Sequence, residues 1–146
     1  MAEFEPRDPD YERRVRESFA RQRAMETLGM RLLRVAPGEV EIGLGFREEL
    51  TQQHGYLHAG VVAAVVDSAC GYAALSLMEA GSEVLSVEFK LNLLSPAAGE
   101  SFVARARVVR SGRNITVCTG DLFAIKGGAE KIVATMLATM MRVSKQ

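Results

Sequence analysis

The chain has 146 residues, 48% of them hydrophobic and 25% charged, a length and balance that fit one globular domain and leave little room for a second. Eighteen basic side chains cancel eighteen acidic ones, so no net field draws the molecule toward nucleic acid or an anionic membrane surface, and an anionic ligand has to be held by local groups. The charged opening MAEFEPRDPDYERR lacks the basic region and apolar run of a secretory signal, which points to the cytoplasm.

From Pro9 to about Leu28 the chain is rich in Arg and Glu, with Val15 and Phe19 four apart and Met25 and Leu28 three apart, the pattern of an amphipathic surface helix. It forms an N-terminal helical extension, 1–29, ahead of a main domain, 30–146. Two strand-like runs follow, Met30 to Val35 and Val40 to Phe46, split by a turn at Ala36-Pro37-Gly38. In the second, Val40, Ile42, Leu44 and Phe46 alternate with polar or small residues, the mark of a half-buried strand.

After a polar connection, the stretch from Ala59 to Met78 carries a single charge, Asp67. A carboxylate in mid-run, the Ala and Gly content and the strands downstream favour a helix enclosed by protein over a membrane span. Period two then returns: Val87, Phe89, Leu91 and Leu93 alternate with Ser86, Glu88, Lys90 and Asn92, and further strands run from Phe102 to Arg110, Ile115 to Ile125 and Ile132 to Val143. Turns are expected at 111–114 and at Gly127-Gly128. One apolar helix on one face of an antiparallel sheet is an α+β layout, in which the sheet has to curl around the helix. An uncovered edge strand would invite pairing with a second subunit.

Asp67 is the first candidate for chemistry, because an ionised carboxylate in an apolar helix is costly to desolvate. Either it bonds nearby hydroxyls or a strand cation and fixes packing, or it is a general base or nucleophile in a cleft. At the start of the same helix, the small residues Ala59 and Gly60 allow close approach to unpaired amides, a site suited to an oxyanion or, equally, to tight helix–sheet packing. Ala59 and Asp67 are eight residues apart, about 12 Å along one helix, so they cannot both touch one carbonyl. If they act together, they come from different subunits across a two-fold interface.

His58 is a candidate acid or base, though a ring at such a bend more often ties up backbone groups. The Gln52 or Gln53 carboxamide could orient water or a carbonyl oxygen. Ser86 could bond the Asp67 carboxylate, yet strand parity turns it away from the Val87 and Phe89 face, so a bulge or a partner subunit is needed. Cys70 and Cys118 sit in apolar stretches and read as buried thiols of a reducing compartment, and the spacing of His54 and His58, with no CxxC or HExxH, gives no metal site.

Gln52-Gln53-His54-Gly55-Tyr56-Leu57-His58-Ala59-Gly60, followed by Asp67, Ser86-Val87-Glu88-Phe89 and Ser95-Pro96-Ala97, resembles the hotdog-fold thioesterases of the phenylacetate-degradation type over about Val40 to Val143. Those enzymes carry Asn, six residues later His-Gly-Gly, and Asp eight residues after the first of these glycines. Here Gln52 replaces the Asn and Ala59 the first Gly, an exchange that keeps the backbone N–H. The resemblance implies a hotdog fold of five to six strands around one helix and hydrolysis of acyl-coenzyme A by a homodimer, or a dimer of dimers. It further implies that Asp67 of one subunit works with Gln52 and the Ala59 amide of the other, with Ser86 in support.

No cofactor is expected, because coenzyme A is part of the substrate. Its phosphates would meet surface cations, with Lys90, Arg110 and Arg113 as candidates, and Tyr56, Phe89 and Met78 could line an acyl pocket. Two rival readings are a hotdog dehydratase or hydratase, which would call for a His paired with a second acid, and an acyl-coenzyme A binding domain without catalysis.

Overall fold

A computed structural model describes residues 3–144. Two short helices, α1 (Tyr11–Arg21) and α2 (Arg23–Thr27), precede strands β1 (Met30–Ala36) and β2 (Glu39–Gly45). The long apolar helix α3 (Ala59–Leu75) follows, then β3 (Ser82–Leu93), β4 (Ser101–Ser111), β5 (Ile115–Lys126) and β6 (Ala129–Ser144). The strands form one antiparallel sheet in the order β1-β2-β4-β5-β6-β3. It wraps α3, which packs against β2, β4, β5, β6 and β3, the hotdog layout that the resemblance implies.

The inner face explains the wrapping. Along β4 and β5 every second residue is buried, and many of these are small: Ala104, Ala106, Gly120 and Ala124. Small residues bring the sheet close to the helix. A Cβ on Gly120 would lie 2.8 Å from Val66 Cγ1 and 2.9 Å from Cys70 Sγ, so at this point the backbone of β5 lies directly against α3. Leu122, Met136 and Met140 fill the remaining space. The β5–β6 hairpin turns on Gly127 and Gly128, whose φ values of 56° and 78° are those that a two-residue turn requires. Among the described residues, no helix is long and apolar enough to cross a membrane.

The structure corrects the expected elements at two places and, at a third, takes the first of the two alternatives left open for Ser86, a bulge. The single helix over 9–28 is two, because Gln22 takes φ −80° and ψ 95° and breaks the hydrogen-bond ladder. Helix α3 ends at Leu75 instead of running to Met78: Leu77 and Met78 donate to Ala74 and Leu75 in tighter turns. Arg14, reaching over from α1, donates to the carbonyls of Leu75 at 3.0 Å, Met78 at 2.6 Å and Glu79, a guanidinium placed where a helix C-terminus favours positive charge. Third, β3 contains a bulge between Ser86 and Glu88. Its consequence is a change of face: Ser86 pairs with buried Met140, while beyond the bulge Phe89 pairs with buried Ala138 and Leu91 with buried Met136. Ser86 therefore shares the inner face with Phe89 and Leu91, against the regular alternation.

Candidate functional site

Asp67 lies on α3 where the helix faces the inner side of β3. Its carboxylate is half-buried, and Ser86 Oγ donates to its Oδ1 at 2.7 Å. Burial holds the Asp67 carboxyl above the usual carboxylate range, with the Ser86 hydrogen bond pulling the other way. The two residues open into a cavity of about 180 Å³, shared with Ser18, Gln22, Tyr72 and Glu83. Asp67 is thus partly solvated and hydrogen-bonded by a single hydroxyl, with no cation among its partners in the described residues.

The second group of residues is assembled by the loop ahead of α3. Thr51 and Leu57 form an isolated bridge, His58 N donates to Leu50 O at 2.9 Å, and Leu57 N donates to Ala97 O at 3.1 Å. Buried Leu50 and Leu57 anchor this loop, and Gly55, with φ 81°, closes the turn inside it. His58 is the N-cap of α3: its Nδ1 accepts the Gly60 N–H at 2.8 Å. The Val61 and Val62 amides donate to the His58 carbonyl. Of the first four amides of α3, only that of Ala59 has no acceptor among the described residues.

Gln52 lies beside it. Its side-chain oxygen accepts from the backbone amides of His54 and Tyr56, which fixes the carboxamide orientation and leaves its NH₂ as donor. Gln52 and Ala59 line one cavity of about 390 Å³ with Tyr56, Val62, Leu93 and Leu94. Gln53, the other carboxamide that sequence could not rank, is exposed and accepts no such hydrogen bonds among the described residues.

Within one chain the two groups stay apart, Asp67 and Ser86 in one cavity and Gln52 and Ala59 in the other. The remaining candidates divide. Tyr56 reaches the Gln52 cavity; Phe89 is 45% exposed on the edge strand; Met78 is buried in the core. Gly60 spends its amide on His58, so it offers no donor to a ligand, and His58, occupied at Nδ1, lines neither cavity. Lys90, Arg110 and Arg113 are exposed and also lie outside both cavities; Lys90 pairs with exposed Leu137, which puts it on the outer face. Cys70 and Cys118 are free and buried. Burial pushes both thiols up, that of Cys118 to about 12, so neither is a nucleophile near neutrality. Among the described residues, no group of three His, Cys, Asp or Glu side chains could hold a metal.

Sequence reasoning missed Ser18, Gln22, Tyr72 and Glu83 as neighbours of Asp67. Tyr72 was detectable, five residues after Asp67 in the apolar run, as the one aromatic side chain there, with a polar tip that needs a partner.

The family model of the thioesterase superfamily matches residues 54–131, just over half of the chain. The chain belongs to the thioesterase superfamily. This thioesterase-superfamily chain is 54% identical to a thioesterase family protein from Silicibacter pomeroyi, whose crystal structure superposes with a TM-score of 0.90 over 92% of this chain and 98% of that one. Acyl-coenzyme A thioesterase 13 from Homo sapiens is 35% identical over 92 residues, 62% of this chain and 65% of that protein. The chain thus spans just under two thirds of the length of that curated relative. The E. coli PaaI protein from the phenylacetic acid degradation operon shares the fold, with a TM-score of 0.82 at 18% identity over 94% of this chain and 96% of that one. The superfamily match takes in His58, Ala59, Asp67 and Ser86, and leaves out Gln52 and the N-terminal helices.

Proposed function

We propose that this chain hydrolyses acyl-coenzyme A thioesters to free acid and coenzyme A, in the cytoplasm and as a homodimer with two composite sites. The observation that carries this reading is the Asp67 carboxylate, half-buried on an apolar helix, bonded by Ser86 and open to a cavity. A carboxylate that burial holds above its ordinary range is a stronger base than a solvated one.

In the reaction, the thioester carbonyl oxygen accepts from the Ala59 amide and from the Gln52 NH₂, two donors aimed where negative charge develops. Asp67 draws a proton from water as the water oxygen attacks the carbonyl carbon, the C–S bond breaks, and that proton passes to the departing thiolate. Alternatively the carboxylate attacks the carbon itself and expels the thiolate, and water hydrolyses the resulting mixed anhydride to free acid and Asp67, one of its protons going to the thiolate. No metal or cofactor enters any step.

Two features support the dimer. The acid and the donors line separate cavities of one chain, as their spacing along α3 requires. Strand β3 is an edge of the sheet, and Val87, Phe89, Leu93 and Leu94 on or next to it are 57%, 45%, 56% and 53% exposed. An apolar edge of this kind is a template for a second copy. Pairing of two dimers into a tetramer is compatible with the same surface.

The test is release of free thiol from a panel of acyl-coenzyme A substrates. Wild type should turn over, and Asp67→Asn should lose about 10²- to 10⁴-fold in kcat with the fold intact. Near-normal turnover by Asp67→Asn would remove the carboxylate from the mechanism.

A further inference from the structure

The N-terminal helices do more than cover an edge of the sheet. Val15 is fully buried, Arg14 grips the carbonyls at the end of α3, and the Phe19 ring packs on Tyr72 with centroids 5.8 Å apart. These contacts bring the break between α1 and α2 to the Asp67 cavity. Gln22, at that break, is the N-cap residue of α2, yet its side chain makes no capping bond. Instead its Oε1 accepts from Tyr72 OH at 3.0 Å, and Ser18 Oγ donates to the same phenol oxygen at 3.3 Å. Tyr72, which holds it, is only 7% exposed. The Gln22 NH₂ has no acceptor among the described residues, and Gln22, Ser18 and Tyr72 all line the cavity of Asp67 and Ser86.

Because Asp67 lines this cavity, a thioester carbonyl held at its carboxylate would send one of its two arms there. At about 180 Å³ it has less than half the volume of the 390 Å³ Gln52 cavity, which suits a short acyl group better than the pantetheine arm with its nucleotide.

Resting on the hydrolase reading above, we infer that Gln22, held by Tyr72, is the end wall of the acyl cavity and a specificity-determining residue that limits acyl length. The N-terminal extension is then part of the substrate site, supplied by a segment outside the stretch that defines the superfamily.

Gln22 is only partly buried, so its truncation leaves the fold intact, which thermal melting checks directly. The experiment compares wild type, Gln22→Ala and Tyr72→Phe on saturated acyl-coenzyme A thioesters of two to twelve carbons. It measures kcat/KM for turnover and Kd for thioether analogues that cannot be hydrolysed. Gln22→Ala should raise the ratio of long-chain to short-chain kcat/KM by about tenfold, chiefly through KM, since a methylene's worth of room in a pocket changes discrimination by about that much. The Kd ratio should move with it. Tyr72→Phe, which frees the Gln22 side chain, should shift both ratios the same way but less.

Unchanged ratios for Gln22→Ala would overturn the inference. The Kd ratio reads the cavity whether or not the wild type turns over, so absent turnover with a shifted Kd ratio sinks only the hydrolase reading. Turnover with unmoved ratios sinks only the role of Gln22, and absence of any binding sinks both.

Discussion

Ser86 donates a hydrogen bond to Asp67 Oδ1 at 2.7 Å from a strand position that regular alternation would turn away from the helix. The bulge between Ser86 and Glu88 is what brings the hydroxyl round. Asp67 thereby gains a donor that favours its charged form while the apolar surroundings oppose it, and desolvation is the larger of the two effects. The pair sets both the ionisation and the aim of the carboxylate.

Ser86→Ala tests that balance. Removing the hydroxyl takes away the one contact that lowers the Asp67 pKa, so the carboxyl should protonate at a still higher pH than in wild type. Hydrolysis that needs ionised Asp67 should then lose its acid limb earlier as the pH falls. Near-neutral kcat/KM should drop by about tenfold, the worth of a hydrogen bond to a charged group. A pH–rate profile of kcat/KM reads both effects; a limb that stays put, or moves to lower pH, would separate Ser86 from the titrating group.

Asp67→Asn has a second consequence, for stability. The folded-state pKa of Asp67 is raised, so its contribution to stability is fully present below the unfolded pKa, where the group is protonated, and is lost as pH rises through the folded pKa. Above the folded-state pKa the ionised carboxylate is therefore a burden that the neutral amide removes. Asp67→Asn should be more stable than wild type there by at most about 1 kcal/mol, because partial exposure screens the charge, with the gap closing as the pH falls into the carboxylate range. Denaturant melts at neutral and acid pH measure it; a variant less stable at neutrality would contradict the assignment of desolvation as the dominant effect.

The composite site predicts complementation. Asp67→Asn and Gln52→Ala dimers should each be impaired, yet a mixed dimer holds one site with both residues intact. After subunit exchange, random pairing should restore about a quarter of wild-type turnover. If the acid and the carboxamide act within one chain, mixing restores nothing.

Gly120→Ala probes the close approach of sheet and helix. The new Cβ would meet Val66 Cγ1 at 2.8 Å and Cys70 Sγ at 2.9 Å, and both residues are fully buried on α3. Overpacking at such a contact typically costs about 1–3 kcal/mol, and because Val66 is next to Asp67 the displacement should also lower turnover. Unfolding by denaturant, read beside thiol release, checks both; unchanged stability would mean that the sheet is not held this tightly against the helix.

Much of the architecture was legible in the chain itself. Alternation along 40–46 and 86–93 marked strands, and a run with one charge between Ala59 and Met78 marked an enclosed helix, because burial on one face or on all sides writes directly into residue order. The same logic singled out Asp67, since a lone carboxylate in such a run needs a reason. The spacing of Ala59 and Asp67 followed from helix rise alone.

Other features depend on which distant segments meet, and local pattern does not record that. A bulge in β3 reversed the face of Ser86, and a sequence of alternating residues looks the same with or without it. His58 caps α3 because the fold brings the Gly60 amide to its ring, and the Gln52 oxygen is held by two backbone donors folded back onto it. Gln22 came to the Asp67 cavity because Arg14, Val15 and Phe19 dock a helix some fifty residues away in the chain onto α3. Periodicity reports how much of a residue is buried; only the packed fold decides what it is buried against.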